Sequence, residues 1–308
     1  MPPLSNSTNT YESKSLRSKF DMKHDVKIDH EDPLRNVSRR LNMTLKDFEI
    51  GKKLGKGKLG KVYCVKHIKT GFICALKVMN KQDLIKFKLE RNLRREIELQ
   101  MNLNHPNIIK LFGYFYDKKN IYLIIEFSIK GELYCHLKLQ KRFNNSIASY
   151  YIYQLTNALV YLHSKHIVHR DIKPENILLD LNHTIKLSDF GWSILINDND
   201  KRKTMCGTLD YLPPEMVENK HHDASVDIWA IGVLIYEFLT GKPPFEHYDK
   251  NITFKKIASV DLKFPSFVND DAKDLVTKLL QKNPNERLSL HDVLNHPWLV
   301  NNKKSWPV

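Results

Sequence analysis

"VHRDIKPENIL", residues 168–178, sets six polar or charged side chains between apolar ends. A surface loop needs no apolar ends, and a core strand does not tolerate this much charge. The pattern fits a short loop held between buried anchors, with its charged groups aimed at something charged. Asp171 can accept a proton from a hydroxyl. Lys173 can neutralise a nearby anion. Asn176 can offer an amide oxygen to a cation.

Downstream, "SDFGW" (188–192) follows the strand-like "TIKL", and short strands flank "NHT". The Asp189 carboxylate suits a hard cation such as Mg²⁺. Upstream, Ala148, Ile152, Leu155, Leu159 and Leu162 mark one face of a helix ending near His163. Further back, "GKGKLGKV" (Gly55 to Val62) has the spacing G-x-G-x-x-G-x-V. Glycine lets backbone N–H groups approach phosphate oxygens. Strand-like segments flank this loop on both sides, whereas a dinucleotide-binding turn would open a helix. A hairpin lid over a nucleotide is the expectation.

Lys77, in "ALKV", shares a strand face with Ala75. It follows an apolar run and would be costly to bury unpaired. Leu89, Leu93, Ile97 and Met101 recur every four residues and predict an amphipathic helix, on which Glu96 is a candidate partner for Lys77 and Glu98 competes.

The 308 residues suffice for a sizeable core, and 42% are hydrophobic. Residues 1 to about 43 are rich in Ser, Asn, Lys and Asp and are expected to form a disordered tail. Lys+Arg 49 against Asp+Glu 35 gives a net charge of +14, which admits a polyanionic ligand and keeps a nucleic-acid binder as a rival reading. The four cysteines are scattered without metal-ligand spacing, as expected of reduced thiols in a cytosolic or nuclear protein. No secretory signal is visible. The longest apolar run, Ile228 to Leu239, carries Glu237 and is too short to span a bilayer, so it predicts a buried helix. Asp227 stands at its start as a candidate cap.

Taken together and in this order, these segments resemble the eukaryotic protein kinases from about residue 44 to 300. The resemblance implies an α+β, bilobal fold. A small β-rich lobe with one regulatory helix (about 44–126) joins through a hinge (about 126–131) to a larger, mainly helical lobe (about 131–300), with 301–308 a short tail. It implies ATP and Mg²⁺ as cofactors. Gly55, Gly57, Gly60 and Lys77 would hold phosphates, and Glu96 would position Lys77. Asp171 would be the catalytic base and Lys173 would neutralise the transferred group. Asn176 and Asp189 would bind the metal, with Glu175 at the nucleotide site beside them. Val62 and Ala75 would lie above the adenine and Leu178 below it, with Leu54 also at the nucleotide site. Ile125 matches the gatekeeper, and Glu126 and Ser128 would offer hinge backbone groups. "PPE" (213–215) stands where most kinases have A-P-E, and Arg287 matches the arginine that pairs with Glu215. Asp227 would anchor the catalytic loop.

Thr204, between "DFG" and "PPE", is the expected regulatory phosphosite, with Arg170 or Arg95 as phosphate partners. Thr208 would contact Asp171 and Lys173 and help define serine/threonine specificity. Glu132, Glu175 and Glu237 match positions that basophilic kinases use for substrate arginines.

The finer resemblance, carried by "DFGWS", "CGTLDYLPPEM", "LRREIELQ" and "HPNIIKLFGYF", is to the Aurora kinases. Gln100 matches a polar residue that Auroras carry, and Glu132 in "KGELY" resembles the B-type, chromosomal-passenger form, with a single fungal Aurora as the source. Leu59 departs from the usual Phe of the glycine loop, and the stretch from Trp192 to Thr204 is one residue longer than in animal Auroras. The family implies action in chromosome segregation at kinetochores and spindle in the nucleus. Expected partners are histone H3, kinetochore proteins and an inner-centromere-protein-like activator on the small lobe, with no membrane and no sequence-specific nucleic acid. A pseudokinase scaffold would lack Lys77, Asp171 or Asp189, and all three are present. A cyclic-nucleotide-dependent-type kinase shares the glutamates but usually adds an aromatic C-terminal tail.

Overall fold

The structure, a computed structural model, describes residues 40–57, 60–195 and 207–307. Leu59, Lys201, Arg202, Thr204 and Cys206 lie outside the described residues, as does most of the N-terminal stretch.

The small lobe is a five-stranded antiparallel sheet of order β1-β2-β3-β5-β4. Its strands are β1 (Phe48–Lys56), β2 (Gly60–His67), β3 (Ile73–Asn80), β4 (Leu111–Tyr116) and β5 (Asn120–Ile125). Two helices lie between β3 and β4: α1 (Lys81–Lys86) and α2 (Glu90–Met101). The expectation of a single helix here is corrected. The run "KQDLIK" is too short to show a period, but Asn80 caps it by accepting the Gln82 and Asp83 N–H groups at 2.8 and 3.4 Å. Leu93, Ile97 and Met101 of α2 pack with Met79, Leu111 and Leu123 beneath the sheet. Phe48, Phe115 and Tyr122 stack on its other face, with centroids 5.7 and 4.6 Å apart. Leu41 and Met43 pack there too, so the chain joins the fold before residue 44.

After the hinge come β6 (Gly131–Glu132), α3 (Leu133–Gln140) and α4 (Asn145–Ser164). Four short strands follow: β7 (Ile167–Val168), β8 (Ile177–Leu179), β9 (Ile185–Leu187) and β10 (Ile194–Leu195). They pair as β6-β8-β9 and β10-β7. The chain then continues through α5 (Pro214–Val217), α6 (Ser225–Thr240), α7 (Lys250–Ser259), α8 (Asp270–Leu279), α9 (Leu290–Asn295) and α10 (Pro297–Asn302). Helix α6 is the buried run expected from Ile228 to Leu239, enclosed on every side by the large core. No helix among the described residues is long and apolar enough to cross a membrane.

The two lobes share a floor. Leu99, Leu103 and Ile108 from the α2 end of the small lobe belong to the core of the large one. The Ile109 N–H donates to the Leu187 carbonyl at 2.9 Å, and the Leu187 N–H donates to Asn107 at 2.8 Å. This fixes β9, and with it Asp189, against the small lobe. Of the segment 301–308, expected as a tail, the described residues 301–307 are docked. Trp306 lies 4.8 Å from the Tyr153 ring and donates its indole N–H to Ser149 Oγ at 2.8 Å.

Helices α6 and α8 approach at Gly232, where an added Cβ would stand 2.8 Å from Leu280 Cδ2 and 2.9 Å from Leu279 Cβ. Gly232→Ala is expected to destabilise the protein by about 1–3 kcal/mol through overpacking. It should lower the urea midpoint without changing the slope.

Candidate active site

Strand β3 carries Lys77 opposite Leu123 of β5, and Ala75 opposite Ile125. Lys77 Nζ reaches Glu96 Oε1 at 3.0 Å. Glu96 is buried, while Glu98 and Arg95 face solvent. That separates the two candidate partners for Lys77, since Glu96 shares the inner face of α2 with Leu93 and Ile97. Burial alone would push the Lys77 ammonium pKa down. The Glu96 and Asp189 carboxylates outweigh that, and it stands above its ordinary value. Asp189 and Glu96 both come up to Gly191. Gly191 makes room for this: a Cβ there would lie 3.2 Å from Asp189 Oδ1 and 3.6 Å from Glu96 Oε2.

The loop between β7 and β8 is built on Asp227. Its carboxylate is fully buried and accepts the His169 and Arg170 N–H groups, each at 2.9 Å, and bonds the His163 ring at 2.9 Å. Burial pushes the carboxyl pKa up. The bond and charge of His163, the nearby His169 and the Arg170 N–H hold it below the usual range. Asp227 does not cap α6, as its position suggested. Ala224 is the cap, and Asp227 is the third helical residue, with its side chain turned to the loop. The bond to Arg170 N–H holds that residue at φ 68°, and Asp189 sits at φ 62°. Both are left-handed conformations that non-glycine residues adopt only when the surroundings impose them.

Asp171 then projects among three partners. Lys173 Nζ stands 3.0 Å from its Oδ2, and Thr208 Oγ1 donates to its Oδ1 at 3.2 Å. Asn176 Nδ2 donates to Asp171 Oδ2 at 2.8 Å and to the Asp171 carbonyl at 2.7 Å. Lys173 also donates to Thr208 Oγ1 at 2.7 Å. Because Asn176 spends its NH₂ inward, its amide oxygen remains for a cation. Among the described residues there is no cluster of three or more His, Cys, Asp or Glu able to hold a metal. Asn176 with Asp189 suits Mg²⁺, which takes much of its shell from phosphate and water.

The glycine loop is described at Gly55, Gly57 and Gly60, with the Gly57 N–H donating to the Gly60 carbonyl at 2.9 Å. Leu54 and Val62 lie on β1 and β2 beside it, and Leu178 lies on β8 opposite Glu132. In the hinge, the Glu126 side chain is committed to Lys186 at 2.6 Å and to the Lys110 N–H at 3.1 Å, leaving its carbonyl for a ligand. The Ser128 carbonyl accepts from Gly131 at 3.1 Å, which leaves the Ser128 N–H.

Arg287 makes a bidentate pair with Glu215, both bonds 2.7 Å, and its guanidinium lies 5.0 Å from the Trp229 ring. The Arg170 side chain donates to the Trp192 carbonyl at 2.8 Å.

Sequence reasoning missed two members of the acidic group around Glu175. Glu237 is buried, bonded by the Tyr211 hydroxyl, and feels Glu175, Glu246 and Asp210. Burial first, and then Glu175, drive its pKa up to about 8, with Lys138 opposing. Glu132 is raised likewise by burial and by Glu175. Asp210 and Glu246 carry no motif of their own; only the fold brings them here. Gly207, at φ 99° and with no Cβ to meet the Arg170 carbonyl 2.8 Å away, was also missed.

An unfolded glutamate loses its proton near 4.5, whereas folded Glu237 keeps it to about 8. Between these values the folded state binds more protons, so stability falls as pH rises through that window. Glu237→Gln should flatten this slope, removing a few kcal/mol of pH dependence, as read from urea denaturation at stepped pH.

A family model described as a protein kinase domain matches residues 48–299. An Aurora kinase of Debaryomyces hansenii is 65% identical over 268 residues, covering 86% of this chain and 65% of that protein. An Aurora kinase of Candida albicans is 56% identical over 287 residues, covering 86% and 54%. One of Schizosaccharomyces pombe is 60% identical over 260 residues, covering 84% and 73%. The chain thus spans between 54% and 73% of the length of these curated relatives.

Proposed function

The chain belongs to the Aurora kinases, and from that premise we propose that it transfers the γ-phosphoryl group of ATP to serine or threonine in basic protein segments. What supports this is two bonded side-chain groups, Lys77 with Glu96 and Asp171 with Lys173 and Asn176, with Ser188, next to Asp189, donating its N–H to the Asn176 carbonyl at 2.8 Å. ATP with Mg²⁺ supplies the transferable group and most of the positive charge that offsets it.

The protein's own part is positioning and electrostatics. Lys77, held by Glu96, is fixed to bind phosphate oxygens. The Asp171 carboxylate, oriented by Asn176 and Thr208, accepts the proton of the substrate hydroxyl. Lys173 stands beside it to balance charge on the group in transit. Thr208 bridges the two and marks where the substrate hydroxyl enters. Ala75, Val62 and Leu178 supply apolar surfaces for a base, and the Glu126 carbonyl and Ser128 N–H supply its polar edge.

Within the acidic group, Glu132 and Glu175 support a preference for arginine upstream of the target residue, whereas Glu237, buried, bonded by the Tyr211 hydroxyl and protonated at neutral pH, offers it no carboxylate. Lys201 and Arg202 precede Thr204 by three and two residues, so the chain's own segment fits that preference. Kinetochore and chromosomal substrates, nuclear and spindle location, and an activator on the small lobe belong to the same proposal. They rest on the kinship with Aurora kinases.

Two experiments test it. Asp171→Asn should cut transfer of radiolabelled phosphate to an Arg-containing peptide by roughly a hundred- to ten-thousandfold. Asp189→Asn should abolish it, with circular dichroism unchanged in both. Near wild-type turnover would remove the assignments. Active enzyme mixed with the Asp171→Asn chain should place phosphate on Thr204 of the inactive copy. A bare Thr204 there would rule out activation between copies.

A further inference from the structure

Strand β4 forms one edge of the small-lobe sheet. Among the described residues a single bridge covers that edge: Arg40 pairs with Tyr114 in parallel, and the Leu41 N–H donates to the Tyr114 carbonyl at 2.9 Å. The Arg40 guanidinium lies over the Tyr116 ring at 4.0 Å, which fixes this end. The parallel sense is decisive. A strand that continued this pairing upstream of Arg40 would run alongside Phe112 and Lys110, toward the hinge.

At that end of β4 is a hollow of about 480 Å³, open to the back of the hinge. Phe72, Ile73, Phe112 and Phe127 line it, with Lys110 and Lys186 among its basic groups. Phe72 and Ile73 are 50% and 53% exposed. The Phe72 and Phe112 rings meet edge to face at 5.3 Å, so the patch is continuous. An exposed apolar surface of this kind at a sheet edge needs cover.

We propose that residues 28–39, "IDHEDPLRNVSR", continue the bridge along β4 and seat in this hollow behind the hinge. Three features support this occupant. Leu34 is six residues before Arg40, a reach of about 20 Å when extended, which spans β4 to the hollow. Leu34 and Val37 supply apolar side chains among polar neighbours. Asp29, Glu31 and Asp32 precede Leu34 in sequence and would come within reach of Lys110, the lining lysine that Glu126 does not already pair. The segment thus adds backbone pairing to an edge strand and matches the hollow in polarity and charge.

The test uses the full chain with Phe72 replaced by p-benzoylphenylalanine. Irradiation should link it to the tryptic peptide 28–35 within single copies, at a yield independent of protein concentration. A link joining two copies, or no link to residues 28–39, would overturn the proposal. A second measurement uses the double variant Leu34→Asp and Val37→Asp, which leaves the folded part untouched. Amide hydrogen exchange at residues 72–73 and 110–113 should speed about tenfold, while β1 and β2 stay as in wild type. Unchanged exchange at those residues would equally overturn it, and would mean that something other than this segment covers the hollow.

Discussion

A single buried carboxylate organises the catalytic half of the molecule. Asp227 receives two successive backbone N–H groups, from His169 and Arg170, and a bond from His163. Two adjacent amides can point at one carboxylate only if the chain turns sharply, and Arg170 takes up that turn at φ 68°. Asp171 follows at once and is thereby aimed at Lys173, Thr208 and Asn176. A charge in the core is tolerated because it is fully bonded. Helix α6, buried along most of its length, supplies the rigid base from which it acts.

The other half of the site is tied to this one through two backbone bonds and through side chains such as Asn107, which donates to Gln154 Oε1 at 2.8 Å. Asn107 and Ile109 pair with Leu187, so the strand that delivers Asp189 is a continuation of the small lobe's floor. The Lys77–Glu96 pair depends on α2 staying packed under the sheet, and α2 ends in the large core. Movement of that helix is therefore felt at the phosphate-binding lysine and at the floor together.

Much of this was legible in the sequence. The glycine spacing, Lys77, the loop at 168–178 and Asp189 were each readable because their chemistry demands particular residue types at fixed intervals. What escaped has physical causes. The choice between Glu96 and Glu98 depends on helix rotation, decided by Leu93 and Ile97. Asp227 read as a cap because an acidic residue near a helix start is usually one; its depth in the first turn sends it elsewhere. Helix α1 is shorter than two turns and shows no period. Trp306 looked like part of a tail because nothing local says that Ser149 and Tyr153, some 150 residues earlier, await it. Asp210 and Glu246 became neighbours of Glu237 only through tertiary structure.

The pair between Glu215 and Arg287 has a consequence for how such a chain can drift. With both groups enclosed and 72 residues apart, exchanging either alone strands the other's charge in the interior. Only a concerted replacement, or two apolar groups filling the same volume, is passable. The two positions are thus inherited as one character.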